Sequence, residues 1–250
     1  MDTWLFFPAI ALIAGIVTLT PLGTQVLKRG VVFIDLAVAQ AAAAAVIWVN
    51  LALHIDSPWI DQGAATLGAV IVSLAVAWIA RKWTQQREAL IGLIYVASAC
   101  MALIGASQFP HGREKIFQLL AADVLWVDSF SIGALILAAL AVFVISRKQL
   151  LFNDAFFYAV FAVIASLAVP ALGLFLVFAS LIAPALWIER GLKPWLAMLL
   201  ASLFCLIGLI LSWVVDAPSG PSVVMTLAGF GVCALFRQQT QDPESIDHFH

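Results

Sequence analysis

Asp35 is the residue whose setting asks most of it. It lies in KRGVVFIDLAVAQAAAAAVIWVN, residues 28–50, where two cations and a glycine lead into a deeply apolar run that carries Asp35 and Gln40 with it. An acid within a membrane-length apolar helix costs about 2.5–3.5 kcal/mol on insertion scales, so it normally faces protein or water rather than lipid. The spacing therefore points to a helix lining a polar path. Gln40 is five residues on, about 140° round a helix, and reads as interhelical glue or a weak oxygen donor on that path. The five consecutive alanines, Ala41 to Ala45, give the helix a thin side that other helices can approach closely. Asp123 and Asp128 flank a short apolar piece, and His54 and His111 fall in polar connections. Asp123, Asp128 and His111 are candidates for an outer mouth, although a helix cap or a solvated face is the commoner role of such acids. Each histidine alone is more often a surface residue than a ligand.

The elements that must position these groups are membrane spans. The chain has 250 residues, of which 64% are hydrophobic and only 10% charged. A soluble domain carries about 25% charged residues. Its mean hydropathy is +1.08. A lipid bilayer is thus the medium, and the net charge of −2 comes from loops and tails. Nothing suggests a nucleic-acid partner: there is no basic stripe, and no phosphate loop, zinc-protease motif or Ser/His/Asp constellation is present. Cys100, Cys205 and Cys233 lie far apart in apolar runs, as packing residues do. The expected spans are Thr3–Leu27, Val31–Leu53, Ala64–Ala80, Ala89–Ser107, Ser129–Ser146, Pro194–Val215 and Ser222–Phe236. Between residues 155 and 188 the chain carries no charge for 34 residues. One straight helix of that length would reach about 50 Å, well beyond the hydrocarbon core. Two shortened crossings that break near Ala168 to Gly173 fit better, and Ile116–Val127 reads as an interfacial or partly inserted helix.

Basic residues collect after every second span: Lys28/Arg29, Arg81/Lys82/Arg87, Arg147/Lys148, Arg190/Lys193 and Arg237. By the positive-inside rule this gives nine crossings, with the N-terminus outside and the C-terminus in the cytoplasm. The loop with Arg113 and Lys115 is the exception, and it balances them with acids.

Four stretches then combine: RGVVFIDLAVAQ at 29–40, REALIGLIYVAS at 87–98, PALGLFLVFASLIAPAL at 170–186 and DAPSGPSVV at 216–224. In order and spacing they resemble the membrane permease subunits of the zinc/manganese/iron ABC importer family. The resemblance implies an all-α polytopic bundle of about nine spans, similar to vitamin B12 and siderophore permeases. It divides the chain into a permease domain at 1–237 and a polar cytoplasmic tail at 238–250. It implies no enzyme activity and no permanently bound cofactor. The cargo would be a divalent metal, zinc first and manganese or iron second, with Asp35 contacting the passing ion. The implied partners are a second copy of the chain, cytoplasmic ABC ATPase subunits that hydrolyse ATP, and an extracytoplasmic metal-binding protein, all at a bacterial inner membrane. Two departures stand out. The family's opening motif commonly reads G-D-A-L-S-H-A, whereas this chain has I-D-L-A-V-A-Q, with Ala39 in place of the histidine. This form, with the His111-Gly112 turn, resembles a variant subgroup. The stretch that docks on the ATPase is also shortened to Lys148–Phe156, which leaves Lys148, Asn153 and Asp154 as coupling candidates. The alternatives are an ion-coupled secondary transporter, which would need inverted repeats, and a membrane anchor subunit of a larger complex, which would need cofactor ligands.

Overall fold

The computed structural model describes residues 6–53, 57–108, 124–148 and 150–236. Nine α-helices run through them: α1 (Phe6–Arg29), α2 (Ile34–Leu53), α3 (Pro58–Lys82), α4 (Arg87–Ala106), α5 (Ser129–Arg147), α6 (Asp154–Leu172), α7 (Leu174–Glu189), α8 (Pro194–Val215) and α9 (Ser219–Cys233). Single 3-10 turns precede α5 and α6 and follow α9. Eight of these segments are long and apolar enough to cross a membrane, and α7 is a shorter apolar helix. His54, His111, Asp123, the inserted helix expected at Ile116–Val127 (all but its last four residues) and the tail with His248 and His250 lie outside the described residues.

The chain folds as helices because a bilayer offers no water to backbone N–H and C=O groups, so each segment must satisfy its own. Long apolar side chains then turn outward. On α3, Leu67, Ile71, Leu74 and Trp78 form an exposed stripe at helical spacing. The opposite face buries Ala65, Ala69, Ser73 and Val76. Small residues set the helix contacts. A Cβ at Gly68 would overlap the Ala41 carbonyl and the Ala45 methyl, so the alanine run of α2 is where α3 comes closest.

The 34-residue uncharged stretch folds as two helices, α6, long enough to span a membrane, and the shorter α7. α6 ends at Gly173, whose φ of 81° and ψ of 152° suit glycine alone. Direction follows from packing: Asp154 meets Arg29 at one end of α1. Gly15 lies against Leu172 and Gly23 against the Leu181 backbone farther along. Positions on α1 and α7 thus advance in step, the two helices run the same way, and α6 runs against them. The basic junctions after α1, α3 and α5 meet at one end of the bundle, where Arg29 binds Asp154 and Arg87 packs on Gly30.

Two boundaries differ from expectation. The helix of the third span starts at Pro58, six residues before Ala64, because proline is preorganised for the first helical position and Asp61 suits the first turn. Residues 28–50 are also not one helix. A turn at Gly30 (φ 58°) assigns the two cations to α1 and starts α2 at Ile34.

Gly173→Ala would force a side chain into that glycine-only conformation and is expected to cost about 1–3 kcal/mol. A thermal unfolding series in detergent should show a clearly lowered midpoint for G173A, while Gly133→Ala, where an added methyl meets nothing within 4 Å, should leave it unchanged.

Candidate functional site

Asp35 falls in the first turn of α2, where the positive end of the helix dipole favours an acid. It is 1% exposed, and neither carboxylate oxygen has a hydrogen-bond partner among the described residues. That combination is unusual, since buried polar atoms are nearly always paired. The turn before it is well anchored. Glu88 Oε1, from the second of the four sequence stretches, accepts the Val32 amide at 2.6 Å, and Val31 N–H returns to the Val26 carbonyl. Two stretches 56 positions apart in the chain therefore meet in space. Gln40 is buried on α2 but off the Asp35 face, as its spacing requires.

The face of α2 that carries Asp35 leads into a cavity of about 440 Å³. At about 100° per residue, Ala39, Ala42, Ala43, Val46, Ile47 and Asn50 follow Asp35 within one arc of roughly 140°. These six residues line the cavity. Its other walls are Pro58, Asp61, Gln62 and Ala65 from the start of α3, and Ser166, Val169 and Pro170 from the end of α6. It ends about one helical turn, 5.4 Å, short of Asp35. At the far end stand two more orphans. Asn50 is 8% exposed, and its Oδ1 has no partner among the described residues; the buried Oδ1 of Asp61 has none either. The other polar groups there are satisfied. Gln62 Nε2 reaches Thr66 Oγ1 at 3.3 Å and the Ser166 carbonyl at 3.4 Å. The Thr66 and Ser166 hydroxyls share a hydrogen bond of 3.2 Å, and Ser166 Oγ donates to the Val163 carbonyl at 2.9 Å.

Asn50, Asp61, Gln62 and Ser166 were absent from the sequence-based site. A signal did exist: Asn50 lies 15 positions after Asp35, about 60° round the helix and so on its face. No three His, Cys, Asp or Glu side chains converge among the described residues.

The remaining candidates have local roles. Asp128 caps α5, accepting from Ser131 N at 3.2 Å and from Ser131 Oγ at 2.5 Å. The Ser131 side-chain hydrogen bond, helped by backbone amides, holds its carboxyl below the usual carboxylate range. Asn153 caps α6 by accepting from the Ala155 and Phe156 amides. Lys148 closes α5, its N–H bonded to the Val144 carbonyl. Asp154 binds Arg29 at 3.1 Å. The same guanidinium reaches Gln25 Oε1 at 2.6 Å and the Leu151 and Phe152 carbonyls at 2.9 and 3.3 Å, and it sits over the Phe157 ring at 4.3 Å. Arg29 thus fastens the shortened 148–156 segment to α1. Asp216, in the left-handed region, ends α8 at the start of DAPSGP.

Residues 148–238 match the ABC 3 transport family. A probable metal transport system membrane protein of Chlamydia pneumoniae is 22% identical over 241 residues, covering 85% of this chain and 81% of that one. The solved PsaBC of Streptococcus pneumoniae, in complex with Fab, superposes with a TM-score of 0.71 at 18% identity, covering 93% of this chain and 91% of that one. The fold is an all-α bundle of eight to nine spans, shared with that solved structure. The matched family is one of transport subunits, which are not enzymes.

Arg29→Ala would strand the carbonyls and the carboxylate that it holds, and is expected to cost about 1–3 kcal/mol. Arg29→Lys should recover little, because an ammonium cannot reproduce the planar fork. Asp154→Asn should matter less, since Asp154 is half exposed. Melting midpoints of the three variants check this order.

Proposed function

We propose that this chain is the membrane subunit of an ABC importer that carries a divalent transition-metal ion, with zinc the first choice and manganese or iron the second. The observation that carries the reading is Asp35, an unpartnered carboxylate buried at the foot of a helix face that opens into a cavity. Such a group costs free energy unless something passes that it can bind. The family match and the metal-transport relative support the cargo class. ATP would be bound and hydrolysed on partner ATPase subunits, and cargo would arrive on an extracytoplasmic metal-binding protein.

On this reading the end with Lys28, Arg29, Arg81, Lys82, Arg147 and Lys148 faces the cytoplasm. The N-terminus is outside and the C-terminus inside, in a bacterial inner membrane. The coupling surface is the segment from Lys148 to Phe156, where the exposed Leu150 and Phe152 offer apolar contacts beside Lys148. A second copy of the chain would complete the pore. Metal bound to one carboxylate is held weakly, as a cargo ion must be, and selection among metals would fall mainly to the binding protein.

Co-expression with a candidate ATPase and binding protein, followed by purification in mild detergent, should yield an assembly whose ATP hydrolysis is stimulated by the metal-loaded binding protein. Asp35→Ala should abolish metal uptake in liposomes while assembly and basal hydrolysis persist. Uptake driven by an ion gradient in the chain alone would overturn the importer reading. Normal uptake by D35A would remove Asp35 from the path.

A further inference from the structure

The cavity between α2, α3 and α6 has an asymmetry that a packing defect would not have. Its wall toward Asp35 is wholly apolar, and its polar lining, Asn50, Asp61, Gln62 and Ser166, is confined to the opposite end, among Pro58, Ala65, Val169 and Pro170. Asp61 offers a carboxylate oxygen, Asn50 an amide oxygen more than nine-tenths buried, and Ser166 a hydroxyl. Asp61 and Asn50 each present a buried oxygen with no donor among the described residues. First-turn placement accounts for an acid at position 61 but not for an oxygen left buried without a hydrogen. The Ser166 hydroxyl has acceptors for its proton in the Val163 carbonyl and the Thr66 hydroxyl, and its oxygen adds an acceptor to the lining. Gln62 Nε2 is engaged with Thr66 and Ser166, which leaves the amide nitrogen of Asn50 as the remaining side-chain N–H donor of the lining.

A site rich in acceptors and poor in donors selects a cation and repels an anion. One carboxylate with neutral oxygens, and no thiolate or imidazole among the lining residues, suits a hard or borderline divalent ion that keeps part of its water shell. At about 30 Å³ per water, a cavity of about 440 Å³ has room for a hydrated ion. The α2 face joins this end to Asp35 across about 22 Å of helix rise. We infer that Asn50, Asp61 and Ser166 form a loading site that holds a partly hydrated divalent cation before it travels along the alanine face of α2 to Asp35. The transport direction in this inference rests on the importer reading; the binding itself does not.

The test is equilibrium binding of Mn²⁺ alone to the purified chain in detergent, read from the loss of the free-ion electron paramagnetic resonance signal. Asp61→Asn keeps size and shape, and should weaken binding at the cavity by roughly tenfold or more. Asn50→Leu, which removes the amide oxygen at similar volume, should weaken it in the same direction. Because N50L could misfold, D61N is the deciding variant, accepted only if it elutes as a monodisperse peak with the wild-type melting midpoint. Binding by D61N equal to wild type overturns the site, as does wild-type protein that takes up no Mn²⁺ at millimolar concentration. In the reconstituted importer, D61N should raise the metal concentration for half-maximal uptake with little change in the maximal rate. If D61N loses Mn²⁺ binding but no ATP-driven uptake is found in any variant, the site stands and the importer reading falls. If uptake is ATP-driven and D61N changes neither binding nor uptake, the reverse holds.

Discussion

Helices in a bilayer cannot be held together by excluding water, because lipid is as apolar as leucine, so this bundle depends on close approach of backbones. Each tight contact is made at a small residue. Gly23 faces the Leu181 backbone, Gly68 faces Ala41 and Ala45, and Gly208 faces Val223 and Thr226. Gly231 meets Ala183 in the same way. These contacts fix which helices are neighbours and at what register. They also free the larger side chains to face outward, which explains why so many leucines, isoleucines and tryptophans are exposed in a well-packed chain.

The same constraint makes the polar groups legible. Inside the bundle, hydroxyls are disposed of locally. Thr18 and Thr20 each donate to the carbonyl four residues back, Ser73 to the Tyr158 carbonyl and Thr226 to the Phe204 carbonyl. Against that thrift, the buried oxygens without partners among the described residues form a short set: both of Asp35, and one each of Asn50, Asp61 and Glu88. Asn50 and Asp61 line one cavity, and Asp35 stands about one helical turn beyond its other end on the same face of α2. Glu88 is the exception and already spends its other oxygen on the Val32 amide, so its role is to brace the turn from which α2 rises.

Much of the fold was legible in the sequence because membrane spans are written in long apolar runs. Residues 155–188 are too long for one crossing helix, and the structure divides them into α6 and the shorter α7 at Gly173, at the edge of the stretch expected to break. The site was less legible for physical reasons. Asp35 stood out because an acid is rare in apolar sequence. Asp61 did not, because acids are ordinary beside a proline-led loop, and only the early start of α3 at Pro58 brings it into the bundle. Asn50 and Ser166 carry no charge and sit among residues of every kind. What selects them is a shared cavity formed by three helices, and no local pattern encodes that. The role of Arg29 was hidden likewise, since a cation after a span reads as topology and its contacts to Leu151, Phe152, Asp154 and Phe157 come from tertiary packing.

The departure at Ala39 takes on meaning in this frame. Where the family pattern commonly has a histidine four residues after the aspartate, this chain has a methyl group that lines the cavity. An imidazole there would occupy part of that volume and supply a nitrogen ligand beside Asp35. Its absence leaves the carboxylate alone at the foot of the path and leaves space above it, while the unpartnered oxygens of Asn50 and Asp61 stand at the other end. A path with oxygen ligands at both ends and alanine between them exchanges ions more readily than one with a mixed oxygen and nitrogen pair at its centre, and discriminates less among divalent metals. On the proposed function, selectivity then moves from the membrane subunit to the protein that delivers the cargo.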